Sequence, residues 1–399
     1  MKMSVHLFYA LCAYSALAQL PPSATLPPSD LPLFHAEIDK LDALLAASPG
    51  NCWVMNEMAR TWAAGQQYPE TIQWLSRIAD LGVGLDPARD PLYKALRGTR
   101  EFEVILSRTR ESIGPVSNSR EAFRIAEGDL TPESEAWDPA TRRFYFGSIR
   151  KGVITACDDK GQCRRFAENL GSVLGVEIAR GHLWAVANQG NESALVEFEI
   201  RSGHLLHRYA VPGAGHRLND IALSPNGDVF ATDTPAGAVW KLPRGASRLE
   251  SFLPGKTFRF ANGIAIADDG RTLYVSNYPN GIDVVNLETG GVHPLGHSRD
   301  LCLALADGLY FHQGTLIAIQ NGSMSPRVIR MTLAKNLQNV ERWDVLERRN
   351  PLFQGITGGT IAGNDFYFAA NIQDEKQTGA KFNPLVILKR RLFEWFCSL

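Results

Sequence analysis

The chain has 399 residues, of which 45% are hydrophobic and 21% are charged, an ordinary globular mixture that excludes the disordered and fibrous classes. The formal net charge of −1 leaves no excess of Lys or Arg to neutralise phosphates or anionic lipid. We therefore expect neither a nucleic acid nor a membrane surface as partner, and an uncharged or weakly acidic small molecule fits better.

The first 18 residues, MKMSVHLFYALCAYSALA, predict a signal peptide. A Lys is followed by a short apolar run and then by Ala16-Leu17-Ala18, the small-x-small pattern that signal peptidase needs. We expect cleavage before Gln19 and an exported protein, periplasmic or secreted. No later stretch approaches the roughly 20 apolar residues of a membrane span.

Residues 19–32 are rich in Pro and Ser and predict a spacer, because proline lacks the amide donor that a helix interior requires. From residue 33 the apolar residues follow helical spacing, which predicts a helical region over 33–113. Its stretch 63–82 resembles the second half of a tetratricopeptide-type repeat. A single repeat cannot bury its own apolar face, so we expect a short helical cap, and recruitment of a protein partner by residues 33–113 is the alternative.

Beyond residue 118 the pattern changes to short β-branched and aromatic runs separated by Gly, Asn and Asp. Six such runs recur, with starts that are 39 to 50 residues apart. They are FYFGS (144–148), LWAVAN (183–188), VFATD (229–233), LYVSN (273–277), LIAIQN (316–321) and FYFAAN (366–371). A repeat of this length without helices between the copies is typical of four-stranded propeller blades.

The repeat predicts a mainly β protein: a six-bladed β-propeller over residues 118–392, preceded by the small helical region. A seven-bladed ring is the strongest competitor. The segment gives roughly 45 residues per blade only when there are six blades, which favours six.

Polar residues recur at one register of these predicted blades. Counting back nine to eleven residues from the runs gives Glu133, Asn219, Asn262 and Asp307 in blades one, three, four and five. Blades two and six carry LGV and ITGG there. A single Asn or Asp before a strand is usually a turn residue. Since the inner strands of a propeller border one channel, four in register predict a shared site.

The chemistry of this set favours a cation. Two carboxylates at one mouth repel each other unless a cation neutralises them, and amide oxygens beside them complete an all-oxygen donor set. Such a set suits one Ca²⁺ ion, with Mg²⁺ or Mn²⁺ possible and Zn²⁺ less favoured without His or Cys.

Four blocks contain these residues: ESEAWDPATRRFYFGS (133–148), RLNDIALSPNGDVFATD (217–233), FANGIAIADDGRTLYVSN (260–277) and ADGLYFHQGTLIAIQN (306–321). They resemble the gluconolactonase and regucalcin (senescence marker protein) family, over the propeller and not over the helical region. Two residues depart from the family pattern: Glu135 replaces the usual Pro after E-S, and Ala306 replaces the Pro before the Asp.

The resemblance implies a role for each of five residues. Glu133, Asn262 and Asp307 would be metal ligands, Asp307 would also be the catalytic base, and Arg217 and Asn219 would face the substrate. The implied reaction is metal-dependent hydrolysis of a cyclic ester such as a sugar lactone, in which the metal polarises the carbonyl and Asp307 activates water.

Two other functions are compatible with the sequence. A non-catalytic binding propeller, stabilised by the metal and with the helical region recruiting a protein, is the alternative. A strictosidine-synthase-like or phosphotriesterase-like propeller is less favoured, because it would need a catalytic Glu or more ligands where blade six has ITGGT.

Cysteine and histidine positions add three smaller expectations. Cys157 and Cys163 bracket the turn-like DDKGQ, where they form either a disulfide in an oxidising compartment or two free thiols on adjacent strands. His216 is expected to be a turn or packing residue. Asn321 begins an Asn-Gly-Ser glycosylation sequon.

Overall fold

The computed structural model describes residues 31–322, 325–373 and 381–392. The predicted signal peptide at 1–18, the spacer up to residue 30 and the C-terminal residues 393–399 lie outside the described residues. Within the described part, helices come first and a large β structure follows. None of the described helices is long and apolar enough to cross a membrane.

The described helical region contains α1 (Leu31–Ala47), α2 (Cys52–Ala64), α3 (Tyr68–Asp80) and α4 (Arg100–Ser112), with 3-10 turns at Pro87–Arg89 and Pro91–Leu96. Helix α1 begins two residues earlier than the sequence predicts and includes Pro32. Proline is tolerated in the first turn of a helix because the amide groups of that turn have no acceptor within the helix. Asn51 caps α2 by accepting hydrogen bonds from the amides of Trp53 and Val54.

Six antiparallel sheets follow and confirm the predicted six-bladed propeller. From the innermost strand outward, blade one contains β3 (Pro132–Asp138), β4 (Arg143–Ser148), β5 (Ile154–Cys157) and β6 (Cys163–Ala167). Blade two contains β7 (Ser172–Ala179), β8 (His182–Gln189), β9 (Glu192–Glu199) and β10 (Leu205–Ala210). Blade three contains β11 (Leu218–Leu223), β12 (Val229–Asp233), β13 (Ala238–Leu242) and β14 (Glu250–Leu253).

Blade four contains β15 (Ala261–Ile266), β16 (Thr272–Asn277), β17 (Gly281–Asn286) and β18 (Val292–Pro294). Blade five contains β19 (Ala306–His312), β20 (Thr315–Gln320), β21 (Arg327–Leu333) and β22 (Val340–Arg348). Blade six contains β23 (Gly359–Ala362), β24 (Asp365–Ala369) and β25 (Leu385–Arg391). Each repeated sequence run forms the second strand of its blade.

Two strands from the beginning of the propeller segment complete the last two blades. The outermost strand of blade six is β2 (Arg120–Ile125), which pairs antiparallel with β25. The short β1 (Val116–Ser117) adds a fifth strand to blade five by pairing with β22. Strands from both ends of the segment therefore share one sheet, so the ring is closed by hydrogen bonds.

The helices and the propeller share one hydrophobic core. Buried residues of all four helices cluster with Tyr278, Cys302, Ala304 and Leu305 of the propeller. The side chain of Asn51 also donates to the carbonyl of Pro279 (3.0 Å) in the turn between β16 and β17. Most apolar side chains of the described helices are thus covered within the chain, which supports a packing role and gives no support to a protein partner.

Strands β5 and β6 are joined covalently. Cys157 and Cys163 face each other as a cross-strand pair and form a disulfide. Of the two alternatives that the sequence left open for these cysteines, the structure has the disulfide.

Candidate functional site

The first five inner strands each carry a β-bulge close to their start. In blade one, Pro132 pairs with Ser148 and Glu135 with Phe146, so residues 133 and 134 together lie opposite Gly147. In the next four blades, two residues likewise lie opposite one, at positions 174–175, 219–220, 262–263 and 307–308. A bulge interrupts strand alternation and changes the direction of the side chains. The first residue of the bulge is the register position that the sequence singled out in four blades.

These bulges bring the four predicted residues together. Glu133, Asn219, Asn262 and Asp307 line one narrow cavity at the start of the inner strands. All four are buried, with 4 to 8% of their surface exposed. Leu174 from blade two and Thr357 from blade six also line it. The absence of a carboxylate or carboxamide at these two blades agrees with the sequence.

Arg217 lies on the same face, one residue before β11, but it is not one of the described residues that line this cavity. Its backbone amide donates to Asp233 Oδ1 (3.1 Å) at the end of β12. The same carboxylate is bonded to His216 Nδ1 and accepts from Trp240 Nε1 (3.1 Å). His216 is thus part of the packing that fixes the loop before β11.

The orientation of the Asn219 amide follows from its neighbours. The hydroxyl of Thr234 donates to the carbonyl of Ala261 (2.7 Å). It must therefore accept from the other side, and Asn219 Nδ2 donates to it at 2.9 Å. This arrangement occupies the nitrogen and leaves Asn219 Oδ1 as the atom that can face a ligand in the cavity.

Asp307 accepts hydrogen bonds from two amide side chains. Asn321 Nδ2 donates to its Oδ2, and Asn262 donates to the same carboxyl group. Burial and the charge of Asp220 raise the pKa of Asp307 to about 7, against the opposing effect of the two hydrogen bonds. A carboxyl group with a pKa near neutrality is suited to accept a proton at physiological pH.

The donor set fits a hard divalent cation. Neither Lys nor Arg is among the described residues that line the cavity, whereas three carboxylates do so, those of Glu133, Asp220 and Asp307. In the described chain no group of three or more His, Cys, Asp or Glu side chains could hold a metal. A cation here would therefore depend on the carboxylates of Glu133 and Asp307 together with amide oxygens, which suits Ca²⁺ better than Zn²⁺.

Close contact between inner strands explains the Asn-Gly and Asp-Gly pairs of the sequence blocks. A Cβ atom on Gly263 would lie 2.1 Å from the backbone oxygen of Asp307, so only glycine fits at this crossing. In blade three the equivalent residue is Asp220 instead. Its Oδ2 accepts from the amide of Ile264 (3.2 Å) and bridges the same gap between neighbouring strands.

The sequence of this propeller matches one protein-family model. Residues 131–294 match the SMP-30/Gluconolactonase/LRE-like region. The match spans β3 to β18, the first four blades, and confirms the resemblance drawn from the sequence blocks. The block with Asp307 lies beyond the matched residues. Its place in the candidate site is supported by the shared register and by the cavity. A search of curated protein sequences finds no match.

Several solved structures share the fold. A gluconolactonase from Xanthomonas campestris is 16% identical, with a TM-score of 0.51 over 69% of this chain and 91% of that one. A calcium-binding regucalcin from Agrobacterium tumefaciens is 14% identical, with a TM-score of 0.52 over 70% and 97%. The allergen Mala s 1 of Malassezia sympodialis is 14% identical, with a TM-score of 0.53 over 68% and 96%. Identities this low show the fold alone.

Asn321 is a residue of this candidate site that the sequence did not predict. The sequence indicated only a possible glycosylation site at Asn321, whereas the structure has its amide donating to Asp307. A usable signal existed, because all six repeated runs end in Ser, Asn or Asp. Asn277, at the end of LYVSN, likewise accepts from the amide of Arg259 just before β15 (3.0 Å).

Glu135, one of the two departures from the family pattern, lies farther along the channel of the propeller. It lines a second, wider cavity toward the other end of the inner strands. One carboxyl oxygen accepts from the amide of Ala369 (3.0 Å), and the other, Oε2, is buried without a hydrogen-bond partner. Burial raises the pKa of Glu135 to about 8, which the hydrogen bond only partly opposes.

This raised pKa predicts a pH-dependent stability in the metal-free protein. Because the folded state holds the proton more tightly than the unfolded state, the stabilisation is lost as pH rises from about 4.5 to about 8. Between pH 6 and 9 the free energy of unfolding should fall by about 2–3 kcal/mol more in the wild type than in Glu135→Gln.

Urea unfolding at both pH values, in chelator, measures this difference. Glu192→Gln, at an exposed position on β9, is the control and should follow the wild type. If the free energy of unfolding changes equally with pH in the wild type and in Glu135→Gln, Glu135 is ionised in the folded protein at little cost.

Proposed function

We propose that this protein is an exported, metal-dependent lactonase that hydrolyses a cyclic ester such as a sugar lactone. The observation that carries the proposal is the convergence of two carboxylates and two amides, at one bulge position of four blades, in a single buried cavity. The similarity to gluconolactonases supports the substrate class. The disulfide between Cys157 and Cys163 supports export, because disulfides persist in oxidising compartments.

Glu133, Asn262 and Asp307 would hold one divalent cation, with Ca²⁺ the first candidate and Mg²⁺, Mn²⁺ or Zn²⁺ as others. Their oxygen donors favour Ca²⁺, as does the similarity to a calcium-binding regucalcin. When bound, the cation would supply a fixed positive charge that polarises the ester carbonyl and stabilises the charge developing on its oxygen.

The remaining chemistry falls to the side chains. Asp307 would accept the proton of the attacking water, while the amides of Asn321 and Asn262 hold its carboxylate in place. Asn219 would accept a hydrogen bond from a substrate hydroxyl through its Oδ1, because its nitrogen is bonded to Thr234. Arg217, at the rim before β11, would donate to substrate oxygens.

A metal-depletion experiment tests the proposal. Hydrolysis of a panel of aldonolactones should disappear after treatment with a chelator and return on addition of Ca²⁺. Mg²⁺, Mn²⁺ and Zn²⁺ are compared in parallel, and metal content is measured on the purified protein. Undiminished hydrolysis in chelator would refute the metal mechanism. A protein that binds the ion but hydrolyses no lactone of the panel would instead support the non-catalytic binding propeller.

A further inference from the structure

A second pair of cysteines meets at the contact between the helical region and the propeller. Cys52 is the first residue of α2, and Cys302 lies in the connection from β18 to β19, 250 positions later in the sequence. Their Sγ atoms are 3.1 Å apart, and both residues are fully buried. Two thiols this close need only small side-chain rotations to reach the geometry of a disulfide.

Buried hydrogen bonds fix the backbone on both sides of this pair. Asn51, next to Cys52, caps α2 and also bonds the turn between β16 and β17. The carbonyl of Cys302 accepts from Gln320 Nε2 (2.8 Å) and Arg327 Nη2 (3.4 Å). Because these groups hold both chain segments in register, the two sulfurs are brought together by the fold itself.

We infer that Cys52 and Cys302 form a second disulfide in the exported protein, which links the helical region covalently to blade five. The inference rests on the thiol contact and on an oxidising compartment, and it does not depend on the lactonase activity. Since Asp307 follows Cys302 by five positions, the disulfide would anchor the segment that leads into the candidate site.

The chemistry is two thiol–disulfide exchanges with an external disulfide as oxidant, such as oxidised glutathione or an oxidoreductase. One cysteine thiolate attacks this disulfide, forms a mixed disulfide and releases the first thiol. The second cysteine thiolate then attacks the protein sulfur of the mixed disulfide and releases the second thiol. Two electrons pass to the oxidant, and its two thiols carry the protons lost by the cysteines. Because both sulfurs are buried in the folded protein, the reaction belongs to folding.

The folded environment of the pair is compatible with a reactive thiol. The hydrogen bond with Cys52 and the charge of Arg327 lower the pKa of the Cys302 thiol to about 7, while burial opposes them. In the last stage of folding, when the two thiols meet in this environment, a thiol that ionises near neutral pH would complete the second exchange readily.

Peptide mapping of the full-length protein, refolded with oxidised and reduced glutathione, tests the inference directly. Free thiols are alkylated in denaturant, and the protein is digested without reduction and analysed by mass spectrometry. We expect a linked pair of peptides containing residues 52 and 302, lighter by two hydrogen atoms than the two reduced peptides together. The disulfide between Cys157 and Cys163 is the internal control. Recovery of Cys52 and Cys302 in alkylated form overturns the inference.

A stability measurement separates the bond from mere packing of the sulfurs. Cys52→Ala should melt at least about 5 °C below the oxidised wild type, because the disulfide closes a very long loop. Reductant should remove most of this difference. The Cys157→Ala/Cys163→Ala variant controls for the short loop that reductant also opens. A difference between Cys52→Ala and wild type that persists unchanged in reductant would show that only packing was lost.

Discussion

Asp307→Asn is expected to reduce the hydrolysis of aldonolactones by about 1,000-fold or more at saturating Ca²⁺. Asparagine keeps the size of the side chain, and its Oδ1 can still accept the hydrogen bonds that Asn321 and Asn262 donate to Asp307. What is lost is the negative charge and the ability to take a proton from water. Saturating Ca²⁺ with calorimetric proof of binding separates this loss from a weaker metal affinity, which is also expected.

A matched control comes from the neighbouring blade. Asp283 on β17 is another carboxyl group whose pKa is raised by burial, and it accepts from Asn277 Nδ2 (3.0 Å) outside the cavity. Asp283→Asn should hydrolyse lactones as the wild type does, and both variants should have the circular dichroism spectrum of the wild type. Wild-type kcat/KM in Asp307→Asn, with a folded protein, would exclude Asp307 as the base.

The periodicity of the sequence was sufficient to predict the six blades and the register at which the site residues recur. The six runs are second strands with nearly constant spacing, so one polar position could be carried from blade to blade. Glu133 and Asn262 were placed in this way, and the structure brings them to one cavity. Their assignment as ligands stays a prediction.

The bulges were beyond the reach of the sequence pattern. Two residues opposite one break the alternation on which strand assignment relies, and nothing in a single sequence marks where this happens. Alternation would place Asn219 and Asp220 on opposite faces, yet both line the same cavity. Asp220 was for this reason missed, although its charge contributes to the raised pKa of Asp307.

The attachment of the helical region was also not predictable, because it depends on residues that look unremarkable in the sequence. Arg327 occurs in RVIRMTL, a pattern in which a charged residue is expected to face solvent. In the structure it is 1% exposed, at the start of β21. Its Nη1 donates to the carbonyls of Leu81 (3.1 Å) and Gly82 (3.4 Å), which follow α3, and its Nε donates to Gln320 Oε1 (2.7 Å).

Arg327→Met is accordingly expected to lower the free energy of unfolding by about 3 kcal/mol. Methionine fills much of the same space but leaves the carbonyls of Leu81 and Gly82 without this donor, and each buried acceptor left unpaired costs about 1–3 kcal/mol. Relief from burying the charge offsets part of the loss. Urea unfolding in a fixed redox state measures the total, and amide exchange in α3 shows whether the helices detach first. Arg342→Met, at an exposed position on β22, supplies the control. Equal stability of the two variants would mean that apolar packing alone holds the helices on the propeller.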